Sequence, residues 1–347
     1  MKYNMKSITS NKNSLYVLAE AAQSYEGNES VALQLTESIK EAGADGIMFQ
    51  IVFADELSLP INNNYQAFKN LEIRDEFWAE IVSDFASDNF NIIGEIFGSR
   101  SLEVCEKAMF HGYKIHVADI CNIPFLREVS NANKPVLLGV GGADYEEISN
   151  AIDALKTFND IEIKLMHGFQ LCPTPIKLSN LKKITALKDT FHLPVGYSDH
   201  SEGFNTLNFN QKSFWSDHLS LASSLFEAEV IEKHVMLNRD KRWEDHESAI
   251  TPDELKDFIK KLNVSYSSLG QDSIDLTDAE LEYQLTSRKY IVSRKKITKG
   301  KLIQENDLTF KRIENPETGI RSLKSIVSKR LNRDVNANEQ ITMEDLE

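Results

Sequence analysis

The sequence predicts a (β/α)8 barrel followed by a small, separate C-terminal domain. Three observations carry this. Apolar, β-branched runs recur at nearly even intervals, stretches of helical periodicity lie between them, and the texture of the chain changes near Arg288.

In order, the strand-like runs are SLYVLAE (14–20), DGIMFQIVF (45–53), FNIIGEIF (90–97), YKIHVA (113–118), KPVLLGV (134–140), IEIKLMHG (161–168), LPVGYS (193–198) and AEVIEKHV (228–235). The stretches VALQLTESIKEAG (31–43), EFWAEIVSDFASD (76–88), LEVCEKAMFHG (102–112) and YEEISNAIDALKTF (145–158) place apolar residues three and four apart. Helical spacing resumes in TPDELKDFIKKLNVSYSSLG (251–270), which opens on an N-cap threonine, a proline and early acids. Alternation of this kind closes most simply into a barrel. An open doubly wound sheet is the alternative, but no G-x-G-x-x-G follows the first strand.

Two long polar segments, 53–70 and 201–220, follow strands two and seven and are expected to shape a pocket at the barrel's C-terminal face. Residues 1–13 read as an unstructured leader, 14–270 as the barrel, 271–287 as a polar linker and 288–347 as the small domain.

The chain has 347 residues and a net charge of −14, from 39 basic and 53 acidic side chains. That balance disfavours nucleic acid and anionic membrane as partners. No apolar run approaches the ~20 residues needed to span a bilayer, and the polar N-terminus lacks a secretory signal. Three cysteines without paired spacing point to a reducing compartment, hence a cytoplasmic protein, and argue against a disulfide framework or a cysteine zinc site. An anionic substrate must then be met by local positive charge, from a metal or a buried lysine.

Barrel enzymes carry their chemistry at the C-terminal ends of strands. Those positions hold Glu20, Gln50, Glu95, Lys114, Gly139 with Gly141 and Gly142, His167 with Gln170, Ser198-Asp199-His200, and Glu232 with His234. In V-I-E-K-H-V, Glu232 and His234 share one strand face and Lys233 points away. His200 and His234 together fit a divalent metal, since imidazole suits Mn, Fe, Co or Zn and nearby carboxylates complete such a site. His111, His192 and His218 sit in helix-end or loop contexts and read as structural. His116 and His167 have no assigned role, and His246 belongs to the rim.

G-Y-S-D-H-S-E-G, E-K-H-V, W-E-D-H-E-S-A-I-T-P-D-E-L and K-R-I-E-N-P-E-T-G-I, in this order and spacing, resemble the sialic acid synthases. The resemblance runs from about residue 14 to the C-terminus. It implies a barrel followed by an antifreeze-like (SAF) domain. The implied reaction is a metal-dependent condensation of phosphoenolpyruvate with an N-acyl amino sugar aldehyde, giving a nonulosonic acid. By the same resemblance, His200 and His234 are metal ligands, with manganese expected and magnesium or cobalt as alternatives. Glu20, Glu232 and Asp245 would be catalytic; Gln50, Lys114, Gln170 and Ser198 would bind substrate, Lys114 meeting donor phosphate. Arg312 would reach the partner subunit's active site in a domain-swapped homodimer.

The departures from the family pattern cluster in the donor half. Ser24-Tyr25 replace N-H, Met48 a lysine, Glu95 a threonine and Val117 a serine; Gly139-Val140-Gly141 replace S-T-G, and Gln170 an asparagine. Losing a cation and several hydroxyls while gaining a carboxylate should weaken binding of a highly charged donor, at about 1.5–3 kcal/mol per charge-assisted bond. Two alternatives follow: a relative with another donor or an aldol or lyase step, and a non-catalytic partner of a synthase. Retention of Glu20, Glu232, Asp245 and both histidines argues against the second, because unused buried acids are an unrelieved cost.

Overall fold

A computed structural model describes residues 15–87, 89–169, 171–201, 216–241, 245–270 and 273–347. The leader, Gln170 and most of the 201–220 segment lie outside the described residues. Eight parallel strands close into a barrel in sequence order: β1 (Tyr16–Ala22), β2 (Gly46–Ile51), β3 (Asn91–Ile96), β4 (Gly112–Ile115), β5 (Val136–Gly139), β6 (Ile163–His167), β7 (Val195–Asp199) and β8 (Val230–His234). Each falls on one of the eight apolar runs, because a strand buried on both faces needs apolar residues at nearly every position.

The helices between them are α1 (Glu29–Ala42), α2 (Ala54–Leu57), α3 (Tyr65–Leu71), α4 (Asp75–Phe85), α5 (Ser99–Lys107), α6 (Ile123–Asn131), α7 (Tyr145–Leu155), α8 (Lys182–Phe191), α9 (Ser216–Leu225) and α10 (Pro252–Ser267). Local chemistry sets their ends. The Asn28 side chain accepts from the first backbone N–H groups of α1, and Gly43 closes that helix with φ 91°, where a side chain would be strained. Thr251 and Glu254 form a reciprocal cap on α10, with Pro252 at its first position.

The 53–70 segment is not simply a polar loop, since α2 and most of α3 lie in it. There Leu57, Phe68 and Leu71 pack with Val52 and Phe97, a cluster too short and irregular for a periodicity argument to find.

Side chains alternate across each strand, and the two faces divide the labour. Outward residues such as Val17, Phe49, Ile92, Tyr113, Leu138 and Ile231 pack against the helices. Inward, Tyr16, Leu18, Met48, Ile93, Leu137, Met166 and Val230 fill the barrel with an apolar layer. Near the strands' N-terminal ends, the buried Lys164 pairs with Glu229 at 3.0 Å. Polar residues begin one layer above the apolar plug, towards the C-terminal ends.

Crowding at those ends explains two glycines. A Cβ on Gly141 would lie 1.7 Å from the Gly168 carbonyl oxygen, and one on Gly168 2.4 Å from that of Ser198. Backbone from three successive strand ends therefore meets at one rim, where no side chain fits.

The second compact unit begins at Gln271. It holds α11 (Asp278–Ser287) and an antiparallel pair, β9 (Tyr290–Ser293) and β10 (Leu308–Lys311), over a core of Ile291, Ile297, Ile303, Leu308, Ile326, Leu331, Val335 and Ile341. The 271–287 segment, read as linker, carries α11. It is tied to this unit by Arg321 donating to Gln284 at 2.8 Å and Tyr290 donating to the Leu285 carbonyl at 3.1 Å. Among the described residues, no helix is long and apolar enough to cross a membrane.

On the barrel's outer face, the fully buried Lys233 lies 3.4 Å from the fully buried Asp199. Asp199 also accepts from the Ser201 backbone and hydroxyl and from Ser220 of α9. Burial alone would raise the Asp199 carboxyl; Lys233 and then the two hydroxyls outweigh it and hold it below its ordinary range. Lys233→Met should therefore lower the unfolding free energy by about 3–5 kcal/mol, the range for stripping one partner from a buried pair. Adding Asp199→Asn should recover part of that loss, so urea denaturation showing strictly additive effects would refute the pairing.

Candidate active site

Above the apolar plug, the inward positions of β1, β3, β4 and β8 bring four ionisable side chains together. Lys114 on β4 is the centre. Its Nζ donates to Glu232 Oε1 at 2.8 Å and lies 3.3 Å from Glu95 and 3.5 Å from Glu20. All four side chains are at most 2% exposed. Register places them: Glu95 is opposite Lys114 across β3 and β4, and Glu20 is opposite His234 across β1 and β8.

The histidines complete the cluster. His234 Nε2 sits 3.1 Å from Glu20 Oε2, and His200 Nε2 sits 3.9 Å from Glu232 Oε1. The two rings lie edge to face with centroids 4.9 Å apart. Gln50 donates to Glu20 at 3.4 Å. Asp245 lies 3.8 Å from the other nitrogen of His234, Nδ1. Ser198 is buried nearby on β7, and its hydroxyl has no partner among the described residues. Arg312 belongs to the second unit, exposed on the residue after β10.

Burial and charge push these groups apart in acidity. For Glu20, burial would raise the carboxyl, but Lys114 and then His234 overcome it and hold it well below the carboxylate range. Burial opposes the Lys114 ammonium; Glu20, Glu232 and Glu95 more than compensate and keep it protonated. Glu95 and Glu232 go the other way. Burial, only partly offset by Lys114 and reinforced by Glu20, pushes Glu95 to about 8 and Glu232 to about 7. One ammonium cannot hold three buried carboxylates ionised. Burial drops His200 to about 3, so it is neutral with a free lone pair. Burial would lower His234 as well, but Glu20 prevails and raises it to about 9.

The residues present fit a divalent cation. Glu20, His200 and His234 each offer one atom, all three within 4.8 Å of one another, and all three are buried. Two imidazoles and one carboxylate suit a first-row divalent metal. The carboxylate that completes the pair of histidines is Glu20, which sequence reasoning had placed among the acid–base groups. Only the barrel's closure, which sets β1 beside β8, reveals this.

Four other histidines lie outside the cluster and make local contacts or end a helix. His111 accepts from the Ile92 backbone at 3.0 Å, His116 from that of Ala118 at 3.1 Å, and His192 ends α8 with φ 54°. His167 points away from the barrel interior by strand parity, its Nε2 3.0 Å from the Ser179 carbonyl oxygen.

One residue was missed altogether. Cys172, on the loop after β6, lies close to His234 and Asp245. Its thiol is pushed up to about 12, by burial first and then by the Asp245 charge. Nothing in L-C-P-T-P marks it beforehand.

A carboxyl raised on folding takes up protons that the unfolded chain has released, so stability falls as pH rises through that window. For Glu95 the window runs from its ordinary 4.5 to about 8. Removing that acid should flatten the fall. Glu95→Gln is expected to gain stability over the parent at pH 8 and little at pH 5, read by thermal melts across that range. Parallel pH profiles for the two proteins would sink the assignment.

The profile of the NeuB family matches residues 35–273, and that of the SAF domain matches 288–347. The chain is 28% identical over 324 residues to the N,N'-diacetyllegionaminic acid synthase of Campylobacter jejuni, covering 89% of this chain and 92% of that protein. It is 24% identical over 349 residues to the pseudaminic acid synthase of the same organism, covering 96% and 97%. The crystal structure of the N-acetylneuraminic acid (sialic acid) synthetase of Leptospira borgpetersenii superposes with a TM-score of 0.70 at 24% identity, over 80% of this chain and 94% of that one. That last likeness carries the fold. The family match spans most of the chain and takes in the barrel strands β2 to β8, and the chain belongs to the NeuB family and ends in a SAF domain.

Proposed function

We propose that this chain condenses an enolpyruvyl donor, phosphoenolpyruvate, with an N-acyl amino sugar aldehyde, giving a nonulosonic acid. The observation that carries the reading is the meeting of a buried ammonium with a two-histidine, one-carboxylate cluster in one barrel mouth. The synthases among its relatives support the reaction class.

A divalent metal held by Glu20, His200 and His234 would supply Lewis-acid polarisation of the aldehyde oxygen. In the reaction the donor's C3 bonds to the aldehyde carbon, water adds at C2, and phosphate leaves. Lys114, kept protonated by its carboxylates, is the anion-pairing group for the donor. Glu232 carries its proton near neutrality, hydrogen-bonded to Lys114 and facing His200, which suits a residue that gives a proton to the new alkoxide. Asp245 faces His234 from the rim, 3.8 Å from its Nδ1, and adds negative charge beside that ring.

Glu95 favours a second reading, in which the donor carries less charge, such as pyruvate in a metal-assisted aldol step. It stands 3.3 Å from the lysine that would otherwise meet phosphate. Met48, which replaces the family's lysine, lies in the apolar plug and adds no charge. A Schiff-base route through Lys114 is disfavoured, because an amine held protonated is no nucleophile.

The deciding assay follows phosphate release and product mass with manganese, phosphoenolpyruvate and a panel of N-acyl amino sugars. Condensation with phosphate release supports the synthase; product from pyruvate alone supports the aldol reading; neither activity refutes both. His200→Ala should abolish stoichiometric manganese binding, since one imidazole fewer leaves a poor site. Unaltered manganese binding in that variant removes the metal assignment.

The swapped homodimer proposed from the sequence makes a separate claim. Arg312→Glu should cut activity at least tenfold, while light scattering and the melting temperature stay unchanged, because the side chain is exposed in its own unit. Full activity in that variant, or an active monomer, would remove the swap.

A further inference from the structure

The geometry points to a second cation site, built from Cys172, the Nδ1 of His234 and Asp245, that takes a soft divalent metal such as zinc. The three residues each offer one atom, all within 4.8 Å of one another. His234 is 4% exposed, and its Nδ1 has no hydrogen-bond partner among the described residues, Asp245 being 3.8 Å away. A buried ring nitrogen left without a bond is costly unless something else engages it.

Backbone bonds hold both flanking segments against the strand ends. The Thr174 amide donates to the His200 carbonyl at 2.8 Å, which ties the Cys172 loop to the end of β7. The Ile250 amide donates to the His234 carbonyl at 2.9 Å and the Met236 amide to the Ile250 carbonyl at 3.0 Å, which does the same for the Asp245 segment at β8. Ser248 and Ala249 donate to the Asp245 carbonyl. Thiol, imidazole and carboxylate are thus brought together by defined structure, not by a chance surface encounter.

The donor set differs from that of Glu20, His200 and His234 in carrying sulfur. A thiolate selects softer ions, and three protein ligands with an open position are a zinc arrangement. The two sites share one ring. A neutral imidazole has one lone pair, so ligation through Nδ1 leaves Nε2 protonated and facing Glu20, 3.1 Å away. Ligation through Nε2 leaves Nδ1 protonated and facing Asp245. Filling the sulfur site therefore switches off the nitrogen–oxygen site through the tautomer of His234. This competition, though not the sulfur site itself, rests on the first triad binding metal.

Cobalt(II) titration of the full-length protein reads the sulfur directly, through the thiolate-to-cobalt charge-transfer band in the near ultraviolet. The band should be present in the parent protein, persist in His200→Ala and vanish in Cys172→Ser. Cys105 and Cys121 remain in that variant as internal controls. Absence of the band in the parent, or its survival in Cys172→Ser, overturns the site. Manganese paramagnetic resonance tests the competition separately. Zinc should displace bound manganese from the parent, and Cys172→Ser should need about tenfold more zinc for the same displacement. Equal zinc requirements refute competition, and failure of manganese to bind at all counts against the first triad instead.

Discussion

Lys114 is the only lysine at the mouth of the barrel among the described inward positions, and three carboxylates surround its ammonium within 3.5 Å. A single positive charge buried to this depth needs at least one negative partner, and a second or third is excess. The excess is resolved by protons: Glu20 keeps its charge, while Glu95 and Glu232 hold theirs weakly. The rest of the mouth follows from this sharing. Glu20 stays ionised and faces His234, and Glu232 keeps a transferable proton beside His200. The site is therefore a store of protons near neutrality as much as a cluster of charges, which is the condition acid–base chemistry needs.

That cluster stands on two supports that contain no chemistry of their own. Beneath it, the apolar layer around Leu18, Met48, Ile93, Leu137 and Met166 excludes water from below and keeps the effective dielectric low. Outside it, Asp199 and Lys233 bind β7 to β8 and to α9 on the far face of the strands that present His200, Glu232 and His234. Neighbouring residues on one strand thus serve opposite duties. Glu232 and His234 face inward to the charged cluster, and Lys233 faces outward to Asp199.

Much of this was legible in the sequence, for an identifiable reason. Strands buried on both faces leave an unmistakable apolar run, and the strand ends they define locate Glu20, Glu95, Lys114, His200, Glu232 and His234 without reference to tertiary structure. What was not legible depends on closure. That Glu20 sits 3.1 Å from His234 follows from β1 pairing with β8, more than two hundred residues apart in sequence. Cys172 comes close to His234 because a loop folds back over β7, and no local pattern records that path. In α3 and α11 the apolar spacing is short or weak, and each is recognisable only once its partners are in place.

The departures from the family pattern also look different inside the barrel. Taken as a string, Met48 and Glu95 are one lost cation and one gained anion, which together repel a phosphorylated donor. In place, Met48 belongs to the plug, while Glu95 stands directly on Lys114 and is neutral over most of the physiological range. Gly139 is no simple loss of a hydroxyl, since a Cβ there would lie 3.0 Å from the Ile115 carbonyl oxygen and 3.2 Å from the Val117 amide. A serine there would need the neighbouring backbone to give by a few tenths of an ångström. Gly139 and Glu95 thus differ from the family pattern in the room they leave as well as in charge, with a protonatable carboxyl beside the Lys114 ammonium. On the proposed reading, in which Lys114 pairs with the donor, that donor would displace Glu95 from Lys114 or accept a hydrogen bond from it, and a phosphate can do the second only while Glu95 keeps its proton.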